Sequence, residues 1–325
     1  MSTEKIYYLN SSVRNPGRHI TYILDSNIVV GLSDLYYNRF TNRDRLDTYL
    51  GLYNELKGKD ILAGAAIGEL CWDSNNNNKI DKNKESTLLK CINGLFIESD
   101  YQKNTKATYS SKKQEFSSLI ENAKVNETFL PSLCLIKKFS NLYNLKLSNK
   151  EVYEQLINFI DDEHKMLLSY EFALITYFLF SNDNTRKNLF RNLFKLDSRK
   201  ISDKNIFNGC WDIFFLRLIN DLPARSFNDT PIANIHNICF ITADKNLATY
   251  ANSILDSDEE TFDFRDNILM PAVDLNERYF KADVWNYVLD KYDYLTLNSP
   301  VRLEFIKNMN KDDFEKHYMS ILKSL

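Results

Sequence analysis

Two short apolar runs in this chain each close on an aspartate: His19-Ile20-Thr21-Tyr22-Ile23-Leu24-Asp25, and far downstream Asn237-Ile238-Cys239-Phe240-Ile241-Thr242-Ala243-Asp244. Their apolar positions run on rather than alternate, the pattern of strands covered on both faces in a parallel sheet. Helical periodicity follows each run, over 27–37 and 245–255, so each aspartate falls at the C-terminal edge of a strand, where open α/β sheets bind their ligands. A second helix is predicted over 44–56, and 60–66 reads as a further short strand passing into a helix that contains Glu69.

From about 85 to 199 the periodicity is helical throughout, with a long apolar-rich stretch over 151–180. Ser202 is placed to cap a helix running to about residue 220, and the tail from 284 predicts two helices separated near Ser299-Pro300. The Asn-rich segment from Asp73 to Asp81 imitates a calcium loop, but Asn78 stands where the turn glycine belongs and Lys84 where the bidentate glutamate belongs. It reads as a solvated loop.

Composition narrows the classes. A chain of 325 residues that is 44% hydrophobic and 26% charged has the balance of a globular protein, and 8 Gly with 6 Pro are too few for an all-β fold rich in tight turns. A formal charge of −3 gives no global basic field, so nucleic-acid binding must come from a local patch. The five cysteines include no C-x-x-C pair and the four histidines, His19, His164, His236 and His317, form no helical H-x-x-x-H pair, which disfavours zinc and a disulfide framework. No stretch has the length of a membrane span and no signal peptide is seen, so the expected location is cytoplasmic. Nucleotide-binding loops and hydrolase elbows are absent as motifs.

Four acids stand out in order: Asp25 in Leu24-Asp25-Ser26-Asn27, Glu69 in Ile67-Gly68-Glu69-Leu70, Asp212 in Trp211-Asp212-Ile213, and Asp244 in Ile241-Thr242-Ala243-Asp244. Carboxylates that share one opening repel and cost desolvation, so such a set suits a hard divalent cation with oxygen ligands. Each acid also has a structural reading: Asp25 and Asp244 as caps of the helices that follow them, Glu69 and Asp212 as partners of a nearby Lys or Arg.

With these flanks the chain resembles the PIN-like domain nucleases over about 20–72 and 203–255, the D-x-N after the first strand and the T-x-D after the late strand being its most specific pieces. The resemblance implies a small, mainly parallel sheet flanked by helices, with a large helical insertion and C-terminal helices. It places a nuclease domain over 18–265, with its core at about 18–72 and 202–265 and the insertion at about 83–200, and a helical extension over 266–325. It implies a metal-dependent ribonuclease in which Asp25, Glu69, Asp212 and Asp244 hold Mg2+ or Mn2+ and Asn27 and Thr242 orient them. In bacteria such nucleases serve as toxins or defence effectors, with an inhibitory or assembly protein as a partner class.

For the RNA substrate the best contact is a basic ridge, Lys187, Arg191 and Lys195, recurring every four residues opposite an apolar face of Leu189, Phe190, Leu193 and Phe194. A plain solvated helix face is the competing reading. A weaker stretch holds Lys103, Lys106, Lys112 and Lys113. Two other functions stand beside ribonuclease: a structure-selective DNA nuclease, and a noncatalytic nucleic-acid or protein interaction module.

Overall fold

Residues 20–24 and 237–242 lie side by side in parallel, with Ile20 opposite Asn237 and Leu24 opposite Ile241, so the two apolar runs form the centre of one sheet. The structure is a computed structural model and describes residues 4–10, 20–73, 79–96, 124–196, 201–225, 237–255 and 275–325. In chain order the described elements begin with β1 (Tyr7–Asn10), β2 (Ile20–Leu24), α1 (Ser26–Tyr36), α2 (Arg43–Leu56), β3 (Asp60–Leu62), α3 (Gly64–Cys71), β4 (Trp72–Asp73), β5 (Lys79–Ile80) and α4 (Lys82–Phe96). They continue with α5 (Lys124–Asn144), α6 (Asn149–Phe159), α7 (Ser169–Phe180), α8 (Asn184–Leu193), α9 (Asp203–Arg225), β6 (Asn237–Thr242), α10 (Lys245–Leu255), α11 (Ala282–Leu297), α12 (Ser299–Lys307) and α13 (Lys311–Ser324).

The main sheet has the strand order β1-β6-β2-β3. β6 and β3 both run parallel to β2, while β1 runs antiparallel to β6, so the α/β class holds and the sheet is mixed. β1 carries no long apolar signal, since only Leu9 of Tyr7-Tyr8-Leu9-Asn10 is buried, and an edge strand needs no more. The tail holds three helices rather than two: besides the break before Pro300, Asn310 accepts a bond from the Asp313 amide and starts α13. The apolar stretch over 151–180 also divides, because a π turn over Ile160–His164 ends at Lys165 in the left-handed region, φ 64°.

The chain gathers into two compact units, Met1–Asn122 with Leu218–Leu255, and Ala123–Arg217 with Asp256–Leu325. These divide the chain differently from the boundaries expected from sequence. α4, within the expected insertion, packs on α1 and α3 of the first unit through buried Leu88, Cys91, Ile92 and Phe96. The C-terminal helices share a unit with the insertion, α13 lying along α5 with Cys134 Sγ donating to the Tyr318 carbonyl at 3.4 Å. The second unit also buries a charge pair: the Arg217 guanidinium bonds Glu171, whose other oxygen accepts the Ser132 hydroxyl at 2.5 Å.

Within the first unit, α1 leaves the edge of β2 with Ile28, Val29, Gly31 and Leu32 turned inward. Tyr49 of α2 lies fully buried against Gly31, where a Cβ would stand 2.0 Å from the ring's Cζ. That close approach lets the Tyr49 hydroxyl reach the Asn27 carbonyl at 3.4 Å and Glu4 Oε1 at 3.3 Å, bracing the first turn of α1. Gly31→Ala therefore drives a methyl group into a confined ring and is expected to destabilise the protein by about 1–3 kcal/mol. Urea denaturation checks this, and an unchanged midpoint would contradict the packing.

Candidate functional site

The register of β2 and β6 decides which side chains meet. With Leu24 opposite Ile241, the next residues, Asp25 and Thr242, emerge together at the C-terminal ends of the two central strands. The Asp25 amide donates to the Ile241 carbonyl at 2.9 Å, which extends the ladder by one bond and holds the aspartate against its neighbour. Asp25 is 2% exposed.

Its carboxylate is fully specified. Oδ1 accepts the Ser26 amide at 2.7 Å, and Oδ2 accepts both the Thr242 hydroxyl and the Asn27 side-chain amide at 2.5 Å. Asn27 uses its other end as well, its Oδ1 accepting the Ala243 amide at 2.9 Å, so one side chain ties the start of α1 to the end of β6. The Thr242 hydroxyl in turn accepts the Asp244 amide at 2.9 Å. Asn27 and Thr242 are both hydrogen-bonded to the Asp25 carboxylate.

Asp244 performs the structural task that its position allowed. Its Oδ1 accepts the amides of Asn246 at 2.7 Å and Leu247 at 3.1 Å, capping α10, while its charge remains close enough to raise the pKa of Asp25. Glu69 arrives from the neighbouring strand: β3 is parallel to β2, and α3 starts directly after it at the same edge. Ser26 offers the Glu69 carboxyl a side-chain hydrogen bond, but Glu69 Oε2 is buried without any partner. Among the described residues no Lys or Arg forms an ion pair with Asp25, Glu69 or Asp244.

The electrostatic result follows from these positions. Burial pushes the Asp25 carboxyl up to about 6, with the bonds from Thr242, Ser26 and Asn27 pulling against it and the Asp244 charge adding to it. Burial likewise pushes Glu69 up to about 8, and the Asp25 charge pushes in the same direction. Two oxygen-donor groups are therefore gathered, uncompensated, at one sheet edge.

Asp212 lies elsewhere in the chain's organisation. It sits on α9 in the part that belongs to the second unit, half-buried between the buried Trp211 and Ile213, and has contacts of its own. Within the first unit the Asp244 charge acts on Asp25, and the Asp25 charge acts on Glu69. Among the described residues no group of three or more His, Cys, Asp or Glu side chains is arranged to hold a metal ion.

The basic ridge is shorter than predicted. Lys187 and Arg191 lie four residues apart on α8, but the helix ends at Leu193 and Lys195 stands beyond it in the left-handed region, φ 47°. Just past the helix end, the Phe194 ring packs on Gly209 of α9, where a Cβ would meet it at 2.5 Å. Leu189, Phe190, Leu193 and Phe194 are buried as expected, and the Arg191 guanidinium lies 5.6 Å from the Phe178 ring. Lys103, Lys106, Lys112 and Lys113 lie outside the described residues, as do residues 74–78 of the Asn-rich loop. Its final Asp81 caps α4, accepting the amides of Asn83 and Lys84 at 3.0 and 3.1 Å.

Other chemistry is committed to structure. All five cysteines are free and buried, and burial raises the thiol pKa of each. His164 is buried with its two ring nitrogens 2.8 Å from the Pro131 and Met166 carbonyls, and burial takes it down to about 4 against those contacts. Among the described residues no helix is long and apolar enough to cross a membrane. Two contributors escaped sequence reasoning: Ser26, hidden between Asp25 and Asn27, and Tyr49, which no local pattern connects to Asn27. Comparison with protein-family models, with characterised proteins and with solved structures returns no match.

The uncompensated pair makes a stability prediction. Both acids hold their protons more tightly in the fold than in the unfolded chain, so the stability this contributes is complete below about pH 4 and falls as pH rises through about 6 for Asp25 and about 8 for Glu69. Glu69→Gln cannot ionise. It is expected to flatten the upper part of this decline and to raise the melting temperature at pH 8 by roughly 5 °C. Thermal melts of both proteins across this range, in the presence of a chelator, check it; parallel curves would contradict the buried, unpartnered carboxylate.

Proposed function

We propose that this protein is a metal-dependent nuclease acting on RNA, with Asp25 and Glu69 as the principal ligands of Mg2+ or Mn2+, Asp244 close by, and a PIN-like arrangement of the sheet edge. The observation that carries the reading is Glu69 Oε2, a carboxylate oxygen buried without a hydrogen-bond partner, whose carboxyl feels the charge of buried Asp25 and forms no ion pair with a Lys or Arg among the described residues. An ionised oxygen so placed is costly unless a cation satisfies it. Hard oxygen donors fit magnesium, and two carboxylates are enough for an ion that keeps several waters and takes further ligands from a substrate phosphate.

When bound, such a cation polarises a phosphoryl oxygen and lowers the pKa of a coordinated water. The chain's own residues supply the rest. Asn27 and Thr242 fix the orientation of Asp25 through Oδ2, and Ser26 fixes Oδ1 while also addressing Glu69. This preorganised frame places negative charge at the sheet edge without reorganisation at the moment of reaction.

Incubating the wild-type protein with single-stranded RNA and Mn2+ or Mg2+ is expected to give cleavage that a chelator abolishes. Asp25→Asn and Glu69→Gln are each expected to lower the rate by about 100-fold or more, while circular dichroism stays unchanged. Asp244→Asn separates two tasks, because asparagine still caps α10 but lacks the charge: the expected outcome is a folded protein with reduced cleavage. Equal rates in wild type and Asp25→Asn would overturn the assignment. Cleavage of branched DNA in preference to RNA would make the protein a structure-selective DNA nuclease, and RNA binding without cleavage at any protein concentration would make it a noncatalytic module.

A further inference from the structure

Tyr279 closes the short 3-10 turn Glu277–Tyr279 ahead of α11 in the second unit. Its carbonyl is anchored twice at the end of α7, by the Asn182 amide at 2.7 Å and the Ser181 hydroxyl at 3.1 Å. The start of the same turn is held by the Tyr177 hydroxyl, which accepts the Asn276 amide at 3.2 Å. The Tyr177 and Tyr279 rings meet edge to face at 5.9 Å.

Two guanidinium groups converge on this frame. Arg186 of α8 lies 4.5 Å from the Tyr279 ring centroid and 5.4 Å from that of Tyr177, and donates to the Tyr279 hydroxyl at 3.2 Å. Arg278 lies 4.6 Å from the Tyr279 ring and donates to the same hydroxyl oxygen. Burial raises the phenol's pKa, but the bonds and charges of the two arginines bring it below the ordinary range. Arg186 keeps a further contact besides these, so Arg278, which is exposed, is the more available donor. Like charges drawn to one neutral oxygen repel, and an anion between them relieves that repulsion.

Lys187 and Lys281 extend the positive charge along the same two segments. Of the nearby carboxylates, Asp183 caps α8 by accepting the Thr185 amide at 2.8 Å, Glu277 opens the 3-10 turn and Asp283 lies in the first turn of α11. The Tyr279 ring is taken up by guanidinium contacts, which leaves the arginine forks, rather than an aromatic face for base stacking, as the recognising groups.

We propose that Arg186, Arg278 and the Tyr279 hydroxyl form a sequence-independent contact for a backbone phosphate of single-stranded RNA on the second unit. The choice of RNA rests on the nuclease reading above. Fluorescence anisotropy of a labelled single-stranded RNA of mixed sequence, titrated with the full chain in EDTA at a series of KCl concentrations, reads the contact without any cleavage.

Arg278→Gln is expected to weaken binding about tenfold at low salt and to reduce the slope of log K against log salt by about 0.7, and Arg186→Gln/Arg278→Gln by about 1.4. Arg278→Lys is expected to keep the slope but not the full affinity, since it retains charge and loses the fork. Unaltered slopes, or no RNA binding by the wild-type chain, overturn the phosphate contact. Absence of cleavage with the expected slopes overturns the nuclease reading and leaves the contact standing.

Discussion

A carboxyl group withdrawn from water at the junction of two parallel strands is the constraint on which the first unit's organisation turns. Asp25 satisfies it with three donors from three sources: the first amide of α1, the side chain of Asn27 and the hydroxyl that ends β6. Two of those donors have a second task. Asn27 receives the Ala243 amide, Thr242 receives the Asp244 amide, and Asp244 then caps the next helix. The strand ends, the two helix starts and the acidic edge are therefore one hydrogen-bonded construction, braced from behind by Tyr49 where Gly31 leaves room for its ring.

The molecule treats buried charge in two ways, and the contrast defines the site. In the second unit Glu171 is wholly buried, yet it is matched by the Arg217 guanidinium and the Ser132 hydroxyl, the usual means of holding a carboxylate out of water. At the sheet edge no cationic side chain does this for Asp25 or Glu69 among the described residues. A fold able to pair one buried acid with arginine leaves two others unpaired side by side, and both are pushed toward their neutral forms. Perturbation of this kind, arising from burial and a like charge at the ends of central strands, is where catalytic and ion-binding groups concentrate. In the second unit Arg186 and Arg278 both donate to the Tyr279 hydroxyl.

Much of this was open to a reader of the chain. The continuous apolar runs 20–24 and 237–242, the capping residues Ser202 and Asp244, and the helices at 26–36, 43–56 and 245–255 rest on local patterns that adjacent residues supply. Asn27 and Thr242 were expected near the acids only through the family resemblance, and their hydrogen bonds to Asp25 depend on the register of β2 with β6. Elements that draw on remote contacts were not legible. β1 is an antiparallel edge strand with one buried residue, Phe194 just past α8 packs on the distant Gly209, and the break at Lys165 depends on a left-handed residue that no breaker announces.

Local physics in the chain was thus enough to establish the α/β class, the two central strands and the acids that emerge from them, since burial on both strand faces and helix capping involve neighbours in sequence. Three-dimensional packing settled what each acid experiences. The register of β2 with β6 set Asp25 among its donors, the parallel placement of β3 carried Glu69 to the same edge without a counter-charge, and α9 put Asp212 in a different unit. Those outcomes depend on desolvation and on partners separated by up to 217 positions, as with Thr242 and Asp25, and no window of adjacent residues contains them.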